Sequence, residues 1–133
     1  MKLFVYGTLA PGNDAWSVLE PWVTGAPEPD AVPGRLYDTG RGYPAATFAA
    51  DGSEVHGIVV TLAPERAAAA LVALDRYEGD EYERITVRTQ RGLDVGTYAW
   101  IAPLTGCRLL DSGRWADPPK GSPETETRRP DGR

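Results

Sequence analysis

Hydrophobic residues along this chain come in short runs cut by glycine, proline and charged residues, a pattern of brief strands rather than long helices. The first run, Leu3-Phe4-Val5-Tyr6, breaks at Gly7 into a loop holding Pro11 and Gly12, which predicts a buried strand over residues 2–6. Asn13 or Asp14 is placed to cap a short helix over 15–19 that Pro21 stops. Residues 22–25 read as a brief strand, followed by a loop through Pro27, Pro29 and Pro33. Further strands are expected over 35–37, 45–48 and 55–62, the last around the continuous run Ile58-Val59-Val60. Asp51-Gly52 marks a hairpin turn ahead of it.

One segment changes period. Pro64 suits the first turn of a helix, the alanines from Ala67 to Ala70 favour its continuation to about Tyr77, and Gly79 is its stop. Three more strands follow, over 82–89, 95–101 and 108–110. One helix in a mostly β chain predicts an α+β domain: a bent, mostly antiparallel sheet or partial β-barrel with one main helix packed on it. That domain is expected over residues 1–116. Past Trp115 apolar residues vanish, so residues 117–133 are expected to be a disordered tail.

The formal charge is −5. The tail adds nothing to it, because Lys120, Arg128, Arg129 and Arg133 balance Asp117, Glu124, Glu126 and Asp131. An acidic folded part argues against nucleic acid or an anionic membrane as partner. Cys107 stands alone, so no intrachain disulfide is possible, in keeping with a reducing compartment. No apolar run reads as a signal peptide or approaches spanning length. A soluble cytoplasmic protein is expected, its oligomeric state not legible.

Chemistry-bearing residues are few. A strand that ends in a glycine-containing turn leaves backbone N–H groups free to bind an anion or a polarised carbonyl, which singles out Tyr6, Gly7, Thr8 and Leu9. A plain strand end is the alternative reading. Gly7 and Gly12 share the spacing of a phosphate loop, but Asn13 stands where its lysine belongs. With one His and one Cys, a metal site is not expected, and no serine sits in a nucleophile elbow. His56 reads as structural or surface, and Cys107 as a small core residue in a strand.

The helix holds the sharper signal. Ala67, Leu71, Leu74 and Glu78 share one face at helical spacing, so a carboxylate lies in the stripe that packs on the sheet. Desolvation and the negative end of the helix dipole both raise its pKa, toward values useful for proton transfer near neutrality. Asp75 flanks the same face. The alternative is a helix that frays earlier, leaving Glu78 solvated or paired with Arg76, Arg84 or Arg88. Tyr98 and Trp100 alternate toward one side of a strand, where core packing is the default.

These pieces resemble the gamma-glutamylcyclotransferase-like family, including its gamma-glutamylamine cyclotransferase branch. The resemblance rests on Val5-Tyr6-Gly7-Thr8-Leu9, Gly34-Arg35-Leu36-Tyr37, Tyr43-Pro44-Ala45 and Val55-His56-Gly57. It continues through Leu74-Asp75-Arg76-Tyr77-Glu78-Gly79, Tyr82-Glu83-Arg84, Tyr98 and Ser112-Gly113-Arg114-Trp115. It implies an enzyme that cyclises a γ-glutamyl group to 5-oxoproline and releases the attached amine, with no cofactor. It implies Glu78 as the catalytic base, then acid. Tyr6, Gly7, Thr8 and Leu9 would bind substrate, the loop amides holding either the α-carboxylate or the developing oxyanion. Tyr82 and Tyr98 would orient Glu78 or line the pocket. The expected partner is a small γ-glutamyl amine, with the leaving group read by loops over 25–33 and 39–44. Two rivals stand beside this: a non-catalytic module that keeps the cavity for a small ligand, and an interaction protein that uses the charged tail.

Overall fold

The structure, a computed structural model, describes residues 1–115; the expected tail over 117–133 lies outside the described residues. The first strand, β1 (Lys2–Val5), is buried on both faces, and the fold is arranged around it. It is followed by α1 (Trp16–Leu19), β2 (Val23–Pro33), β3 (Arg35–Asp38), β4 (Pro44–Thr47) and β5 (Glu54–Leu62). Then come α2 (Ala67–Glu78), β6 (Tyr82–Arg88), β7 (Asp94–Trp100) and β8 (Arg108–Leu109). The strands form a five-stranded sheet in the order β2-β5-β1-β7-β6 and a three-stranded sheet in the order β4-β3-β8. All pairings are antiparallel except one: β1 runs parallel to β7, with Leu3 opposite Gly96. This is the expected α+β class with a bent, mostly antiparallel sheet, and the strands do not close into a barrel.

Side-chain alternation along β1 divides the core. Leu3 and Val5 face one cluster, with Val60, Leu62 and the helix residues Leu19, Ala70 and Leu74. Phe4 and Tyr6 face the other, with Val32, Leu36, Ala46 and Val59, and Trp115 packs against its edge. Ala67 and Leu71 pack against the first cluster, as the helical spacing predicts.

Two elements differ from expectation. β2 is a long strand rather than a short strand and a loop, with a register irregularity between Thr24 and Glu28. It lies at the edge of its sheet, where prolines cost least because their missing N–H would face outward. The first helix lacks a side-chain cap: the Asn13 amide instead donates to the Gly7 carbonyl at 2.8 Å, tying the loop after β1 to itself.

Candidate active site

The turn after β1, the C-terminal end of α2, the segment entering β4 and the facing parts of β6 and β7 surround a cavity of about 510 Å³. All seven residues singled out from the sequence line it: Tyr6, Gly7, Thr8, Leu9, Glu78, Tyr82 and Tyr98. They come from positions far apart in the chain, and the pairing of β1 with β7 is what brings Tyr6 and Tyr98 together.

Glu78 is the last residue of α2, and the helix does not fray before it. Gly79 ends the helix at φ 82°, a conformation that costs a residue with a Cβ far more. Its N–H donates to the Asp75 carbonyl at 3.1 Å. Glu78 is held over the cavity with no ion-pair or hydrogen-bond partner among the described residues. Arg84 pairs with Asp75 and Arg88 with Asp94 instead, so neither neutralises it. Burial pushes its carboxyl up to about 7, within reach of both protonation states at neutral pH.

The tyrosines do not orient Glu78 by hydrogen bonds. Each hydroxyl proton is committed elsewhere: Tyr6 donates to the Tyr98 carbonyl, Tyr82 to the Pro44 carbonyl at 2.5 Å, and Tyr98 to Asp75 Oδ1 at 2.6 Å. Their ionisation is suppressed, chiefly by burial, and the Glu78 carboxylate also repels the phenolate form of all three. The phenols therefore ring the carboxylate and stay neutral.

The turn after β1 supplies donors to the same cavity's lining. Among the described residues the N–H groups of Gly7, Thr8 and Leu9 find no acceptor, while the carbonyls of Gly7 and Thr8 accept from Ala10 and Ala15. Gly7 is required by close packing: a Cβ there would meet the Pro44 ring at 2.6 and 2.9 Å. The residues lining the cavity thus include unpaired backbone donors and a desolvated carboxylate.

The family model for "Gamma-glutamyl cyclotransferase, AIG2-like" matches residues 3–117. The chain belongs to this family. The gamma-glutamylcyclotransferase family protein YtfP of Escherichia coli strain K12 is 32% identical over 119 residues, covering 88% of this chain and 97% of that protein. The solution structure of E. coli ytfP superposes with a TM-score of 0.57 at 31% identity, covering 88% of this chain and 97% of that one. An AIG2-like protein from Mus musculus gives 0.62 at 21% identity, covering 77% and 79%. An uncharacterised protein from Pyrococcus horikoshii gives 0.66 at 20% identity, covering 86% and 88%; these two likenesses bear on the fold alone.

In this gamma-glutamyl cyclotransferase-like domain the cavity has more walls than the sequence singled out. Asp14, Tyr43, Pro44, Tyr77 and Glu81 also line it. Glu81 holds the loop ahead of β4 through Arg41 Nη2 at 3.0 Å and the Tyr43 hydroxyl at 3.2 Å, and the Arg41 guanidinium lies 5.1 Å from the Tyr43 ring centre. The run Tyr43-Pro44 was legible as part of the family pattern, but its packing against Gly7 and Tyr82 was not. Of the two loops expected to read a leaving group, only that over 39–44 reaches the cavity, through Gly42, Tyr43 and Pro44. Residues 25–33 are committed to β2. His56 is half-buried away from the cavity, its N–H bonded to the Gly113 carbonyl at 2.8 Å. Cys107 sits in a turn ahead of β8 and is half-buried, rather than in a strand core. Among the described residues no group of three His, Cys, Asp or Glu is placed to hold a metal ion, and no helix is long and apolar enough to cross a membrane.

Proposed function

We propose that this protein is a γ-glutamyl cyclotransferase that acts on a small γ-glutamyl amine, with Glu78 as the proton carrier. The observation that carries this reading is the desolvated Glu78 carboxylate sharing one cavity with the unpaired amides of Gly7, Thr8 and Leu9. The substrate's α-nitrogen arrives as an ammonium, which has no lone pair. Glu78 takes one proton, and the freed amine attacks the γ-carbonyl, forming the ring C–N bond. Collapse of the tetrahedral intermediate breaks the bond to the leaving nitrogen, to which Glu78 returns the proton. Ionised again, Glu78 takes the second proton from the ring nitrogen and passes it to the released amine. The attacking nitrogen sheds two protons in all and the released amine gains two, so the products are 5-oxoproline and an ammonium. Neither water nor a cofactor enters the balance.

The cavity also serves proximity. Ring closure needs the glutamyl chain folded until amine and carbonyl are in near-attack contact, and a walled site of this size selects folded conformers. The N–H groups after β1 suit the α-carboxylate or the oxyanion of the intermediate, both of them anions in want of donors.

Incubation with a panel of γ-glutamyl amines and dipeptides, read by 5-oxoproline release, tests the proposal. Glu78→Gln should lower kcat by roughly 10²–10⁴, the usual worth of a general acid–base group. Unaltered turnover by that variant removes Glu78 from the mechanism. A ligand that stabilises the wild-type fold and is recovered unchanged favours the rival reading of a binding module.

A further inference from the structure

We infer that Tyr98, with its hydroxyl proton fixed on Asp75, presents its oxygen to the cavity as a hydrogen-bond acceptor for the substrate's α-nitrogen, and that Asp75 is the positioning residue behind it. This rests on the cyclotransferase reading for the substrate's identity, but the polarity of the site is a property of the protein alone. A phenol has one proton and two lone pairs. Once the proton is engaged by protein, the cavity meets only the lone pairs. Tyr6, Tyr82 and Tyr98 are all in this state.

Tyr98 is the hardest of the three to turn around. Tyr6 and Tyr82 donate to neutral carbonyls, whereas Tyr98 donates to a carboxylate at 2.6 Å, a charge-assisted bond. That carboxylate is itself clamped by Arg84, with Nε on Oδ1 at 2.9 Å and Nη2 on Oδ2 at 3.2 Å. The Arg84 pairing, with help from the Tyr98 bond, holds Asp75 below the usual carboxylate range, so it stays an acceptor. Asp75 also stands one helical turn before Glu78, so the same clamp ties the end of α2 to β6 and β7.

The consequence is chemical. The substrate nitrogen carries N–H bonds at every stage, as ammonium, as attacking amine and as lactam. An acceptor that cannot become a donor holds those N–H bonds and leaves the freed lone pair aimed at the γ-carbonyl. The unpaired amides after β1 offer the opposite polarity to the same cavity, so donors and acceptor together would sort an α-amino acid end by charge.

The test pairs protein and ligand changes. The affinities of γ-glutamylethylamide and of its desamino counterpart, N-ethylglutaramic acid, are measured by calorimetry on Glu78→Gln and on Glu78→Gln/Tyr98→Phe. The amine-bearing ligand should bind at least tenfold tighter to the first protein, and Tyr98→Phe should cut that ratio about fivefold or more. Asp75→Ala should cut it as far, and combining it with Tyr98→Phe should add little. A Tyr98→Phe ratio equal to that of the parent overturns the inference, as does an equal loss for both ligands. Should Asp75→Ala fail to fold, Tyr98→Phe, which removes one oxygen, still decides the matter. The expected ratios without 5-oxoproline from the wild type would sink the catalytic reading and leave this one standing; 5-oxoproline with an unchanged ratio does the reverse. No binding of either ligand overturns both.

Discussion

In the proposed mechanism Glu78 ties function to stability. Its carboxyl titrates at the ordinary 4.5 when unfolded and at about 7 when folded. Below 4.5 both states are protonated and nothing is lost. Between the two values the unfolded chain releases its proton while the folded one keeps it, so stability falls as pH rises. Above about 7 both are ionised and the fold carries a constant handicap of about 3 kcal/mol. Glu78→Gln should therefore raise the Tm at pH 8 and leave it nearly unchanged at pH 4, a comparison that calorimetry makes directly. For the proposed cyclotransferase, activity runs the other way: with Glu78 as the base, kcat/KM should climb through a midpoint of about 7, because the base must be ionised to act. A flat profile from pH 5 to 9 would contradict this. Helical spacing placed Glu78 in the packing stripe, where the structure leaves it half-buried at the end of α2. That its neighbours Arg84 and Arg88 are engaged by Asp75 and Asp94 was not legible in the sequence, because those pairings depend on strand geometry set far away.

Among elements, the turn after β1 and the start of β4 form one unit, because the Pro44 ring fills the space beside Gly7. Gly7→Ala should destabilise the fold by about 1–3 kcal/mol through overpacking and weaken turnover more than that loss alone explains. Denaturant melts alongside kcat/KM check it. Leu74 is fully buried where α2 meets the sheet, and Leu74→Ala should cost about 2–5 kcal/mol. α2 was readable because proline, alanines and a glycine stop agree on it. β2 was misread because three prolines argue for a loop unless the strand lies at an edge, and edge position is not a local property. The loop over 39–44 is expected from the sequence to meet the leaving group, but its tether to Glu81, which joins residues forty positions apart, is not legible there.

At the scale of the molecule, β1 serves both core clusters, Leu3 on one side and Phe4 on the other. Leu3→Ala and Phe4→Ala should each cost about 2–5 kcal/mol and still melt in one step by every probe. Separate transitions would mean that the clusters are independent. A short apolar run ending at a glycine predicts a buried strand in this place but not its neighbours: hydrophobic pattern shows that a strand is covered, not which partner lies alongside. The parallel match of Leu3 with Gly96 has a consequence for biosynthesis. A ribosome makes β1 about ninety residues before β7, which must emerge before the two can pair, a long-range closure of the kind that slows folding. Tyr6 waits all that time for Tyr98, so a nascent or prematurely terminated chain lacks the cavity whose wall those two residues complete.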